Sequence, residues 1–84
     1  MKRIAVIGAI LEKPHLNQKI FNEIVSGFKG IIKGRLGIPF EENDCAVISL
    51  TVLGDIDEIN SLTGKLGSIK GAVVKTTVSK NDIA

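Results

Sequence analysis

The 84-residue sequence predicts an α+β sandwich of the ferredoxin-like kind, βαββαβ, with a four-stranded antiparallel sheet and two helices on one face. Three observations carry this. The apolar skeleton repeats at an offset of 41 residues: Ala5-Val6-Ile7 overlays Ala46-Val47-Ile48, Phe21 overlays Leu62, Val25 overlays Leu66, Phe28 overlays Ile69 and Gly30 overlays Gly71. Within each copy, strand-like runs flank a stretch of helical periodicity, so a βαβ unit occurs twice. The length suits a single domain built of two layers around one core. Residues 1–84 are therefore expected to form one domain, with repeat units at about 3–37 and 45–79.

The first strand is read as Arg3–Glu12. Pro14 then opens a helix, where its missing N–H removes no intrahelical bond. Leu16, Ile20, Phe21, Ile24, Val25 and Phe28 form the apolar stripe of that helix, and Gly27 and Gly30 bracket its exit. A second strand runs from Ile31 to Gly37 and is expected to stop at Ile38-Pro39, because proline cannot donate to a ladder. Phe40 to Asp44 form a polar turn, and a third strand covers Cys45–Leu53. Asp55 and Glu58 have the spacing of a capping box and start a second helix with buried Ile56, Ile59, Leu62, Leu66 and Ile69. Gly67 is placed as its C-terminal cap. The fourth strand is Ala72–Ser79, and Lys80–Ala84 is a polar tail expected to fray.

The repeat also sorts the central strands, the first and third, into faces. Ala5, Ile7, Ala9 and Leu11, with Ala46, Ile48, Leu50 and Val52, are assigned to the helix side. The other face carries Ile4, Val6, Gly8 and Ile10 beside Cys45, Val47, Ser49 and Thr51. A sheet with one wet face should alternate apolar and polar residues, yet the first strand is apolar on both faces. An uncovered patch of this kind marks an interface, so Ile4, Val6, Ile10 and Val47 are expected to join copies of the chain in a homodimer or higher homo-oligomer. The competing reading lays the alkyl stems of Lys33, Arg35 and Lys75 over the patch.

Composition narrows the function classes. The chain is 44% hydrophobic and 24% charged, which is globular, and its net charge of +2 falls short of a dedicated nucleic-acid binder. The single cysteine, Cys45, forms no internal disulfide and fits a reducing cytoplasm. The opening Met1-Lys2-Arg3 followed by Ile4–Leu11 has a leader-like look, but Glu12-Lys13-Pro14-His15 follows instead of a cleavage site. The run is too short to cross a bilayer, and no membrane association is expected.

Gly34-Arg35-Leu36-Gly37-Ile38-Pro39-Phe40 and Leu62-Thr63-Gly64-Lys65-Leu66-Gly67 are similar to the motifs of the iron-only hydrogenase system regulators. Ile4-Ala5-Val6-Ile7-Gly8 and Gly71-Ala72-Val73-Val74-Lys75 resemble the same family, so the resemblance spans nearly the whole chain. Ala72 departs from it, standing where a β-branched residue is expected. The resemblance implies an ACT-like domain, similar in fold to the ligand-binding domain of the nickel-responsive repressor. It also implies a bacterial, anaerobic setting and a role in regulating hydrogenase maturation or expression. It supplies no ligand and no catalytic residue.

Candidate sites follow from residue chemistry. Arg35 is a fixed cation suited to a carboxylate or phosphate, and its flanking glycines let a ligand or partner strand approach; the bland reading is a solvated arginine on a twisted edge strand. Thr63-Gly64-Lys65 lacks the upstream glycine and following Ser/Thr of a phosphate loop and sits at a helix end that repels anions. Gly64 inside a helix still needs a reason, either close packing against a neighbouring backbone or a small ligand or partner subunit. Gly34, Arg35, Gly37, Pro39, Gly64 and Lys65 are thus the candidate ligand-binding residues, with the Gly8–Pro14 region as a second place for an effector. His15 and Cys45, on different elements, do not make a metal site, and no metal or cofactor is expected. No nucleophile–base constellation appears, so no catalytic residue is assigned. The first and third strands lack the stacking aromatics of an RNA-binding sheet, and no DNA-reading motif is present. The expectation is a non-enzymatic, cytoplasmic regulator, transcriptional or acting on maturation, that works through oligomerisation and a small-molecule effector. The alternative is a regulator that binds nucleic acid directly.

Overall fold

The computed structural model describes residues 1–83. The elements are β1 (Arg3–Glu12), α1 (Pro14–Ser26), β2 (Ile32–Phe40), a short 3-10 turn (Glu41–Asn43), β3 (Cys45–Gly54), α2 (Ile56–Gly67) and β4 (Ala72–Val78). The sheet order is β2-β3-β1-β4, and every neighbouring pair is antiparallel. This is the ferredoxin-like βαββαβ arrangement, with β1 and β3 central.

The faces fall where the repeat puts them. β1 and β3 pair from Arg3–Gly54 to Glu12–Cys45, which turns Ala5, Ile7, Ala9 and Leu11, with Ile48, Leu50 and Val52, toward the helices. All seven are buried. Phe21 and Leu62, the repeat partners at the middle of the helices, are both fully buried on this layer. Ile59, Leu66, Ile31, Ile69 and Val25 complete the core.

Local chemistry sets the element boundaries. α1 begins at Pro14 after Lys13, which adopts a left-handed conformation (φ 46°). At α2 the Glu58 carboxylate accepts the Asp55 N–H at 3.1 Å, as a capping box requires. Gly71, at φ +91°, is the only described glycine in the left-handed region. Its carbonyl accepts the Glu12 N–H at 2.7 Å, and Asn17 Nδ2 donates to the Glu12 carbonyl at 2.7 Å, so one turn fastens β1, α1 and β4 together.

Several expectations change. β2 does not stop at Ile38-Pro39: it continues to Phe40, with Pro39 opposite Ala46. β2 is an edge strand, where a missing N–H need not cost a ladder bond. Leu16, Ile20 and Ile56 are exposed, because each helix buries only the narrow stripe that meets the sheet. Gly27 caps α1 in a right-handed conformation, and Gly67 lies within α2, with Ser68 as the cap. The tail is fastened at its described end: Asp82 pairs with Arg3 at 3.3 Å and the Ile83 N–H donates to the Lys2 carbonyl. Ala84 lies outside the described residues.

Candidate functional site

Two surfaces differ from an ordinary solvated exterior. The first is the sheet face opposite the helices. Ile4, Val6 and Ile10 of β1 lie there exposed, with the partly exposed Val47 opposite Ile10. The pairing adds Leu36, Ile38 and Phe40 from β2, opposite Ser49, Val47 and Cys45. It adds Val73 from β4, opposite Ile10. All four of these are exposed, Leu36 at 61%. The apolar patch therefore crosses all four strands. A strand ending at Gly37 excludes Ile38 and Phe40 from the sequence reading; Leu36 lies inside it, and its period-two spacing with those two residues is the available signal. Of the cations considered as covers, Lys75 lies opposite Gly8 on this face. Arg35, opposite Leu50, points to the other side. It leaves the patch uncovered.

The second surface is a cleft of about 280 Å³ between α1 and the edge strand β2. Pro14 and Gln18 form one wall and Arg35, Gly37 and Pro39 the other, over a floor that includes Leu11 and Ile48. Arg35 is held in place rather than freely solvated. Its Nη2 donates to Asn22 Oδ1 of α1 at 2.7 Å, and its guanidinium carbon lies 5.6 Å from the Phe21 ring centroid. No described carboxylate lies within 4.0 Å of it. A Cβ at Gly37 would meet nothing within 4 Å, so open space lies beside this glycine.

The six candidate ligand residues do not form one site. Arg35, Gly37 and Pro39 share the cleft. Gly34, opposite Thr51, faces the open side. Gly64 and Lys65 belong to α2, where Lys65 Nζ lies 5.3 Å from the Phe28 ring centroid. A Cβ at Gly64 would meet nothing within 4 Å, so packing inside the chain does not explain that glycine. Pro14, Gln18 and Asn22 were missed because nothing in the sequence shows which edge strand α1 stands beside.

The structure brings His15 and Cys45, which lie on different elements, to the same end of the sheet. They line one shallow depression with Asp44, whose Oδ1 is 3.6 Å from His15 Nδ1. Among the described residues, no three His, Cys, Asp or Glu side chains gather closely enough to hold a metal ion. Nor is any polar or charged side chain buried there. No described helix is long and apolar enough to cross a membrane.

Residues 3–76 match the TM1266-like family, described as "Iron-only hydrogenase system regulator, putative". The chain belongs to this family. The match takes in both helices, all of β1 to β3 and most of β4. Among solved structures, the uncharacterized protein TM1266 from Thermotoga maritima is 35% identical, with a TM-score of 0.91 over 95% of this chain and 100% of that one. SnoaB, a cofactor-independent oxygenase from Streptomyces nogalater, superposes with a TM-score of 0.59 at 8% identity, over 100% of this chain and 97% of that one, a likeness of fold alone. No curated protein matches the chain. The family description places the protein with regulators of iron-only hydrogenase systems.

Proposed function

We propose that the protein is a non-enzymatic regulatory module of an iron-only hydrogenase system that acts through self-association across its open sheet face, with a small effector bound away from that face biasing the assembly. The observation that carries this is the apolar patch shared by all four strands. Contiguous apolar surface of this extent on a small protein marks an interaction site. Four strands at about 4.8 Å spacing and about 3.3 Å per residue give a face on the order of 600 Å², close to the roughly 800 Å² per partner of a stable interface. The apolar residues are spread over both halves of the face, which suits a second copy related by a twofold axis. A regulatory mechanism needs only two assembly states and an effector with different affinity for each.

Sedimentation velocity over a concentration series tests this. The expected result is a concentration-dependent shift from monomer to dimer or larger. A single 9 kDa species persisting to high micromolar concentration overturns the reading.

A further inference from the structure

We infer that the cleft between α1 and β2 is a binding site for a small apolar monocarboxylate, with Arg35 holding the carboxylate and the apolar lining of Pro14, Pro39 and Ala46 taking the apolar body. The inference rests on the effector half of the proposed function and is independent of self-association across the opposite face.

The internal repeat supplies the argument, because the second half shows the same junction closed. Ile48 is the repeat partner of Ile7. Gly37 pairs with Ile48 on the outer side of β3, and Thr76 pairs with Ile7 on the outer side of β1. By strand register, then, Thr76 occupies the place of Gly37, and Val74, opposite Ala9, occupies the place of Arg35, opposite Leu50. On the second side the junction is filled. Val74 packs against the core, and the Thr76 hydroxyl meets the Thr63 hydroxyl of α2 at 2.8 Å. α2 lies close on β4, whereas α1 stands off β2. Thr63 is the repeat partner of Asn22, the residue that holds Arg35. The same helix position thus anchors the edge strand in both halves. In the first half the anchor is a long cation one strand pair further along, and the slot the threonine would fill is empty.

The chemistry of the slot selects the ligand. Arg35 spends one of its five N–H groups on Asn22, so a fork remains for a planar carboxylate. The Asn22 bond and the Phe21 ring fix the guanidinium before a ligand arrives, which lowers the ordering cost of binding. The rest of the lining is largely apolar, with Gln18 the one neutral polar side chain. A phosphate, which seeks several donors, would leave oxygens unpaired against Pro14, Pro39 and Ala46. A small organic acid matches one cation and an apolar lining, and a volume of about 280 Å³ limits it to a compact body.

Titration of the full chain, followed by amide chemical shifts, tests this with benzoate, its neutral isostere benzamide, and inorganic phosphate as probes. Benzoate is expected to shift the amides of Gln18, Gly37 and Ile48 saturably. Benzamide, and benzoate with the Arg35→Gln variant, are expected to bind about tenfold or more weakly, as loss of a charge-assisted hydrogen bond implies. Gly37→Thr reproduces the closed junction of the second half and should abolish the shifts while the protein stays folded; Gly37→Ala, whose Cβ meets nothing within 4 Å, serves if threonine perturbs the strand. Equal binding by Arg35→Gln, equal binding of benzamide, displacement of benzoate by phosphate, or no saturable shift at the cleft up to about 10 mM overturns the inference. Sedimentation of the same samples reports self-association separately, so failure of one leaves the other readable.

Discussion

Val6→Glu is the sharpest test of the open face. Val6 lies on a central strand between Thr51 of β3 and Thr77 of β4 and is 49% exposed. Burying the exposed half of such a side chain is worth about 1 kcal/mol. Ile4, Ile10, Leu36, Ile38, Phe40 and Val73 stand in similar positions. Counted on both copies, the face offers a gross gain of about 14 kcal/mol against an association cost of about 4–15 kcal/mol, a net of up to about 10 kcal/mol that includes a micromolar dimer. A glutamate at position 6 forfeits the valine contribution and places an unpaired charge in each half of the interface, a penalty of several kcal/mol per copy. The dimer dissociation constant should rise at least about a thousandfold, equivalent to about 4 kcal/mol. The monomer fold should lose no more than about 1 kcal/mol, because the side chain faces water in the isolated chain. Analytical ultracentrifugation of wild type and variant, with circular dichroism as the fold control, reads both effects. A variant that stays folded and associates as tightly as wild type refutes the assignment of this face.

Three further substitutions probe the fold itself. Gly71→Ala imposes a side chain at φ +91° and sets its Cβ 2.9 Å from Asn17 Nδ2; it should cost about 1–3 kcal/mol in urea denaturation, and an unchanged midpoint would contradict the turn described above. Gly64→Ala meets no neighbour within 4 Å inside α2 and should raise stability by about 0.5–1 kcal/mol with sedimentation unaltered; weakened association would instead reveal a partner contact at that glycine. Phe21→Ala removes a fully buried ring from the centre of the core and should cost about 3–5 kcal/mol, seen as a fall of more than about 12 °C in the melting temperature.

The fold was legible because two signals agreed. The apolar positions of the repeat gave the element order, and strand alternation gave the faces, so Ala5, Ile7, Ala9 and Leu11 were placed inward with Ile48, Leu50 and Val52. The misreadings share a cause. Pro39 reads as a strand breaker, yet on the edge strand β2 its missing N–H does not end the pairing. Leu16, Ile20 and Ile56 fit a helical period, but whether an apolar residue on that stripe is buried depends on how wide a contact the sheet offers. Gly64 reads as a glycine required by packing or by a ligand or partner, and only the fold removes packing within the chain.

The candidate site was half legible. Arg35, Gly37 and Pro39 drew attention as residue types, but their common cleft required α1, since Pro14, Gln18 and Asn22 sit one element away. The offset of the repeat aligned Arg35 with Thr76, whereas the strand pairing aligns it with Val74. A register shift at the β2 bulge between Ile32 and Gly34 accompanies this difference.

By itself the sequence determined the order of elements, the core face of each central strand and the apolar excess of β1 on its other face, because periodicity is a local property of the chain. Only the tertiary structure decided that β2 and β4 extend that excess across the whole sheet, that Arg35 turns to the helix side, and that the junction closed by Thr63 and Thr76 stands open at Gly37. Those outcomes depend on strand register and on the distance between a helix and an edge strand, which are set by pairing and packing between residues far apart in sequence.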